Sequence, residues 1–201
     1  MLGSACKARQ VGGDYFDFLD LGQNRLGLVI GDVSGKGIAA ALLMANLQAN
    51  LRSQCAGACM HPELFLQSVN RLFFENTVDS AYASLFFAEY DDDSRRIRYA
   101  NCGHLSGLVL HPDNRCQRLE STGTLLGLFP KWEFSIAESE LTPGDLLALY
   151  TDGVTEASSD DGTEFGEEML LEKLLEHRDL SCDDLARAVA EDVRKFSPHE
   201  Q

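Results

Sequence analysis

The order of strand-like and helix-like runs is the feature that most constrains the fold of this chain. A predicted β-hairpin comes first, two predicted helices follow, a long strand-rich middle comes next, and two more helices stand last. Segregation of strands from helices in this way favours an α+β fold with a largely antiparallel sheet system. Helix pairs could then cover a two-sheet sandwich on both sides.

The spacing of apolar residues and the turn residues define the individual runs. Leu43, Leu47 and Leu51 recur every four residues, which predicts a helix after Gly37 that continues to about residue 53. Three further helices are predicted over residues 62–77, 167–176 and 182–196. Predicted strands occupy residues 14–20, 25–32, 83–90, 95–101, 106–111, 116–120, 132–137 and 145–151. A length of 201 residues fits one domain, 1–201.

The formal net charge of −15 excludes several classes of partner. Nucleic acid and anionic membrane surfaces would both repel such a chain. No apolar run approaches the roughly 20 residues of a membrane span, and residues 1–10 lack the apolar centre of a signal peptide. We therefore expect a cytoplasmic protein. If it handles phosphate, metal cations are the usual source of the positive charge it needs.

The six cysteines are scattered and show no CxxC spacing, which predicts free thiols in a reducing compartment. Cys55 and Cys59 could face one another on a helix. Zinc would need more ligands than His61 adds to them, so the sequence does not favour a zinc site.

Two carboxylates occupy facing positions of the predicted hairpin. If its turn centres on Gln23, Asp14 and Asp32 lie at equal distances from the turn and form a cross-strand pair. Such side chains have Cβ atoms about 5 Å apart, so the carboxylates repel unless one takes up a proton or a cation lies between them. Hard oxygen ligands at this spacing suit Mg²⁺ or Mn²⁺. Geometry alone equally allows two polar hairpin ends in solvent.

The surroundings of Asp32 favour the metal interpretation. An apolar strand ends at Asp32, and the loop at 33–37 leads directly into a helix, an arrangement that binds anions at the helix N-terminus. Asp152 similarly ends the apolar run 146–151, with Gly153 behind it. Taken alone, Asp152 is better explained as part of an ordinary Asp-Gly turn. Three aspartates at strand ends together predict a binuclear metal site.

Four motifs in order resemble those of a known family. They are VGGDYFD at 11–17, GDVSGKG at 31–37, YANCGH at 99–104 and YTDGVTEA at 150–157. This series resembles the SpoIIE-like branch of the metal-dependent serine/threonine phosphatases, which is similar to the type 2C enzymes. The resemblance implies a four-layer α-β-β-α sandwich, with two antiparallel sheets between helix pairs.

The resemblance also implies a site with two Mn²⁺ or Mg²⁺ ions. By position, Asp32 would bridge both ions, the carbonyl of Val33 would bind one, Asp14 would bind directly or through water, and Asp152 would complete the second. In this family, metal-held water attacks phosphorus without a phosphoenzyme. Lys36 is a candidate contact for the substrate phosphate, against the alternative of a solvated loop lysine.

Other positions have simpler interpretations or depart from the family pattern. Asn101, Gly103 and His104 are interpreted as a structural turn, with a functional role for His104 as the alternative. The family continues past its last helix into a strand with an Asp-Asp pair that supplies a fourth carboxylate, and this sequence ends where that strand would begin. We expect either a truncated domain or a protein without this ligand. Asp192 is a poor substitute. Relatives often carry an upstream sensor or receiver domain.

Three functions are compatible with these observations. The first is a phosphatase acting on a phosphoprotein, by analogy a small anti-sigma-factor antagonist of the STAS type. The second is a pseudophosphatase that serves as an interaction module, suggested by the missing fourth ligand. The third is a nucleotide cyclase or another two-metal enzyme, against which the sequence offers neither a P-loop nor a basic triphosphate clamp.

Overall fold

The computed structural model of the chain describes residues 12–58, 61–77 and 81–198. These residues form eight strands, β1 (Asp14–Gly22), β2 (Arg25–Val33), β3 (Ala83–Asp91), β4 (Arg96–Cys102), β5 (Gly107–Leu110), β6 (Cys116–Leu119), β7 (Ala137–Glu140) and β8 (Leu146–Ala148). They also form five helices, α1 (Gly37–Ala58), α2 (Pro62–Asn76), α3 (Asp152–Thr155), α4 (Gly166–Glu176) and α5 (Cys182–Phe196). Residue 11 of the first motif, Cys6 and Cys59 lie outside the described residues.

The strands form two antiparallel sheets, as the sequence predicts. One has the order β1-β2-β3-β4-β7 and the other has the order β6-β5-β8. Antiparallel neighbours along the chain explain the short connections, whereas β7 and β8 join their sheets at the edges after longer connections.

Three apolar clusters separate four layers. On β3, Leu85 and Phe87 belong to a cluster that also contains buried residues of α1 and α2, whereas Phe86 and Ala88 belong to a cluster shared with the second sheet. This division follows from the two-residue alternation of side chains along a strand. A third cluster joins the outer face of the second sheet to α4 and α5. The predicted α-β-β-α sandwich is therefore confirmed.

Two predicted strands differ from the structure. The apolar run at 132–137 is largely irregular, and β7 begins only at Ala137. Trp132 and Phe134 instead pack together, with ring centroids 4.4 Å apart, against the cluster beneath α1 and α2. The run at 145–151 forms only the three residues of β8. Packing in the core rather than strand pairing accounts for the apolar side chains of the first run.

Cys102, Cys116 and Cys182 carry no disulfide, which agrees with the expectation of free thiols. None of the helices in the described ranges combines the length and the apolar character that a bilayer-spanning segment requires.

Candidate active site

The β1–β2 hairpin places Asp14 directly opposite Asp32, so the predicted register is confirmed. The two loop residues, Gln23 and Asn24, both have positive φ angles, of 52° and 56°. Positive φ at both central positions is the requirement of a type I′ turn, whose twist matches that of the strands it joins. A register shift between Asp20 and Gly22 marks a bulge beside the turn.

The facing carboxylates lie at the rim of the layer between the two sheets. Leu28 and Ile30 alternate with Asp32 on one face of β2, and both pack in the cluster shared by the sheets. On β1, Phe16 shares that face with Asp14 and packs against the same cluster. Both carboxylates therefore project toward the second sheet, at the end of the sandwich where β1 begins and β2 ends.

Gly13 brings main-chain and side-chain oxygens together at this rim. A Cβ atom on Gly13 would lie 2.5 Å from Oδ1 of Asp32 and 2.5 Å from the carbonyl oxygen of Val33, which no side chain can do. The amide of Val33 also donates a hydrogen bond of 3.2 Å to the carbonyl of Gly13. The absence of a side chain thus leaves a carboxylate oxygen and a carbonyl oxygen side by side.

The environment makes the Asp32 charge costly. Burial of the carboxyl, together with the negative charges of Asp14 and Asp152, raises the pKa of Asp32 from 3.8 to about 6. Partial burial also raises the pKa of Asp14, against the effect of a 3.1 Å hydrogen bond that the hydroxyl of Thr151 donates to its Oδ2. A cation near these oxygens would relieve the same repulsion that otherwise favours a proton.

Asp152 follows β8 of the other sheet and is the first residue of α3. Its charge acts on both Asp14 and Asp32, so the structure brings the three predicted carboxylates into one electrostatic neighbourhood. Among residues 12–58, 61–77 and 81–198, however, no group of three or more His, Cys, Asp or Glu side chains is arranged to hold a metal ion.

The oxygens that are present nevertheless fit a hard divalent cation. Mg²⁺ characteristically keeps several waters and uses one or two carboxylates rather than a complete protein cage. The pair of Asp14 and Asp32, with the Val33 carbonyl beside it, supplies such a partial set. Nitrogen or sulfur ligands, which zinc prefers, are absent from this set.

The loop after Asp32 leads into α1 as predicted. Gly35 and Gly37 have φ angles of 105° and 71°, in the region that favours glycine. Lys36 is exposed between them. The hydroxyl of Ser34 accepts a 3.1 Å hydrogen bond from the amide of Tyr82. The helix begins three residues after Ser34, too far for that side chain to cap it.

The predicted turn at 101–104 is present. Asn101 is completely buried, and its side chain accepts a 2.9 Å hydrogen bond from the amide of His104. The ring of His104 contacts Ser84 and the main chain of Tyr150. Asp192 lies elsewhere, 2.8 Å from Nε2 of His177.

Sequence reasoning missed Gly13, Ser84 and Thr151 as parts of this site. A glycine before the first aspartate was visible in the sequence, but its close approach to Val33 depends on the pairing of β1 with β2. Thr151 was visible only as the neighbour of Asp152. Its contact with Asp14 joins residues 137 positions apart, and no local pattern reports such a distance.

A known family matches most of the chain. Residues 22–201 match the family described as stage II sporulation protein E (SpoIIE). The chain belongs to the SpoIIE family. The match includes Asp32 and Asp152 and begins after Asp14. The resemblance inferred from the four motifs is thereby confirmed.

Sequence relatives of this SpoIIE-family chain include named phosphatases. Phosphoserine phosphatase RsbU of Bacillus subtilis is 32% identical over 191 residues, which cover 94% of this chain and 56% of RsbU. Protein IcfG of Synechocystis is 34% identical over 194 residues, which cover 83% of this chain and 30% of IcfG. The chain thus spans little more than half of RsbU and less than a third of IcfG.

Solved structures support the family assignment and the fold. The RsbU and RsbW domains of Rv1364c from Mycobacterium tuberculosis align with a TM-score of 0.77 and 27% identity, covering 97% of this chain and 54% of that one. The SiaA-PP2C domain of Pseudomonas aeruginosa aligns with a TM-score of 0.82 and 18% identity, covering 94% of this chain and 76% of that one. At that identity the second comparison supports the fold alone.

Proposed function

We propose that this chain is the catalytic domain of a metal-dependent protein phosphatase that removes phosphate from serine or threonine of a partner protein. One observation carries the proposal. Asp14 and Asp32 face each other at the rim between two sheets, and the charge of Asp152, at the start of α3 after β8, acts on both. Membership of the SpoIIE family and the phosphoserine phosphatases among its relatives support the same reaction.

The residues that would hold the metal ions are Asp14, Asp32, Asp152 and the carbonyl of Val33. Two Mn²⁺ or Mg²⁺ ions in such a site lower the pKa of bound water and neutralise charge on a phosphoryl group. The hairpin fixes the separation of the first two carboxylates, and Thr151 orients Asp14 through its hydroxyl. The charge repulsion that raises the pKa of Asp32 would be relieved when a cation takes the place of the proton.

The segment after Asp32 would orient the substrate phosphate. The first amides of an α-helix have no partner within the helix, and this end of a helix favours anions. The exposed Lys36 stands immediately before that helix and could add a charged hydrogen bond. We infer a supporting role for Lys36, secondary to that of the carboxylates.

The substrate and cellular context are inferred by analogy. The relatives RsbU and RsbP are named phosphoserine phosphatases, one neighbouring structure contains an RsbU domain together with an RsbW domain, and another is described under the bacterial stressosome. We propose that the substrate is a phosphorylated protein of the STAS type in such a pathway, acting in the cytoplasm. We also propose that residues 1–201 act as one catalytic domain under the control of an upstream sensor or receiver domain.

One observation favours an alternative. The described residues do not form a complete three-residue metal site, which suits a pseudophosphatase that binds a partner without hydrolysis. The two candidates differ in a measurable way, because the module would bind a phosphoprotein and leave its phosphate in place.

Hydrolysis of a phosphoserine peptide and of 4-nitrophenyl phosphate, with and without Mn²⁺, tests the proposal. We expect activity that EDTA removes, and a loss of at least about 100-fold in kcat for Asp32→Asn, equivalent to the several kcal/mol that metal ions contribute. Asp20→Asn is the matched control, because Asp20 lies on the same face of β1 but at its far end. Absence of Mn²⁺-stimulated hydrolysis by the unmodified chain would contradict the enzyme and favour the module.

A further inference from the structure

His104 lies where the chain crosses from one sheet to the other. It follows β4 of the five-stranded sheet and precedes β5 of the three-stranded sheet. Its main chain is held by buried Asn101, whose amide group also donates to the carbonyls of Leu105 and Leu119, at 3.2 and 3.4 Å. Gly103 permits the turn, with a φ angle of 71°. These contacts hold in place the main chain that carries the imidazole.

The imidazole has one partner on each side. Nδ1 lies 2.8 Å from the hydroxyl oxygen of Ser84, and Nε2 lies 3.1 Å from the carbonyl oxygen of Tyr150. Because a carbonyl can only accept, Nε2 carries the proton that bonds to Tyr150, and in the neutral ring Nδ1 accepts from the Ser84 hydroxyl. Burial lowers the pKa of His104, which agrees with a neutral ring.

Both partners adjoin the acidic site. Ser84 is the cross-strand neighbour of Asp32, on β3. Tyr150 directly precedes Thr151 and Asp152, and its own hydroxyl donates a 2.8 Å hydrogen bond to Glu167 in the outer helix layer. The imidazole thus spans the gap between the strand beside one carboxylate and the segment that carries another.

We propose that His104 is a positioning residue that sets the placement of Asp152 relative to the Asp14–Asp32 pair by hydrogen-bonding both β3 and the segment that follows β8. The inference rests on the proposed function, because it concerns the geometry of that site. The carboxylates repel one another, so hydrogen bonds from other groups are needed to hold the segment with Asp152 near the pair. The Thr151–Asp14 hydrogen bond is one such contact, and the His104 bridge is the second. Groups that orient metal ligands in this way typically affect metal affinity or activity by roughly 10–100-fold.

Two substitutions separate the halves of the bridge. In His104→Asn the side-chain amide reaches the place of Nδ1 and can keep a hydrogen bond with Ser84, but it is too short for Tyr150. In His104→Gln the amide nitrogen reaches the place of Nε2 and can donate to the Tyr150 carbonyl. Both variants replace the ring with an amide, so general effects of losing the imidazole are matched.

The inference predicts a difference between these variants. For His104→Asn we expect a Mn²⁺ dissociation constant raised by roughly tenfold or more in calorimetric titration, and kcat lowered in the same range with KM little changed. His104→Gln is expected to restore most of both. In the metal-free protein, amide hydrogen exchange at residues 151–153 should be faster for the asparagine variant and near the unmodified rate for the glutamine variant.

Two results would overturn the inference. One is equal Mn²⁺ affinity, kcat and exchange in both variants and in the unmodified chain. The other is an equal loss in both variants accompanied by equal thermal destabilisation, which indicates only a structural ring. If the unmodified chain neither binds Mn²⁺ nor hydrolyses phosphate, the proposed function fails by itself. The exchange comparison needs neither metal nor activity, so it still decides whether His104 holds the 151–153 segment.

Discussion

Replacing Asp32 with asparagine should stabilise the metal-free protein while it removes function. The substitution keeps the shape of the side chain and removes a charge that burial, Asp14 and Asp152 all disfavour. A residue that weakens the fold in order to bind a ligand is a common source of opposition between stability and activity. The measurement therefore tests whether the acidic site is electrostatically strained before any cation arrives.

The magnitude follows from the pKa of Asp32, which is raised from 3.8 to about 6. A shift of about two units corresponds to roughly 3 kcal/mol, and solvent screening at this half-buried position reduces the expected gain to about 1–2 kcal/mol. The folded protein holds this proton more tightly than the unfolded chain does. The charge therefore costs nothing below about pH 4, and its full cost is present above about pH 7.

Thermal unfolding in EDTA provides the assay. At about pH 7.5 the Asp32→Asn variant should melt about 2–8 °C above the unmodified chain, and at about pH 4 the difference should disappear. Mn²⁺ at 100 times its dissociation constant should add about 2.7 kcal/mol to the unmodified chain alone, which reverses the order of the two proteins. Asp20→Asn is the control, and for this variant we expect no such reversal on adding Mn²⁺. Destabilisation by Asp32→Asn of equal size at both pH values would refute the reasoning.

Three further predictions concern single contacts. Gly13→Ala would place a Cβ 2.5 Å from two oxygens of the site and should lower kcat at least about tenfold in the phosphate assay, whereas Gly12→Ala, with nothing within 4 Å of its Cβ, should not. Thr151→Val should weaken Mn²⁺ binding in calorimetry because it removes the hydroxyl that orients Asp14, and Thr151→Ser should retain the affinity. The buried carboxylate of Asp145 accepts hydrogen bonds from the amide and hydroxyl of Thr142, at 2.7 and 3.0 Å, and lies 2.8 Å from Nδ1 of His111. Asp145→Asn should therefore cost about 1.5–3 kcal/mol in urea unfolding at neutral pH. Hydrogen bonds that outweigh the effect of burial lower the pKa of Asp145, so this cost should fade as the pH drops through that lowered value; a constant cost would contradict the charge as its source.

Short-range patterns predicted those features of the fold that depend on neighbouring residues. The hairpin register followed from the turn, and the strand alternation put Asp14 and Asp32 on one face. The helix at Cys182–Phe196 followed from its apolar spacing and has the predicted bounds. The strand predicted at 132–137 is wrong because an apolar sequence fits a strand or an irregular segment in the core equally well. In this protein Trp132 and Phe134 pack in the cluster beneath α1 and α2, and β7 begins only at Ala137.

The order of elements, the facing aspartate pair and the family could be predicted from the sequence, because each depends on residue type and spacing along the chain. The contacts between the pair and the second half of the chain depend on the three-dimensional packing instead. Thr151 reaches Asp14 across 137 positions, and His104 joins Ser84 to Tyr150. These contacts arise where parts of the chain that are distant in sequence pack together. No periodicity along the chain encodes the distance between layers, which the packing of their apolar faces sets.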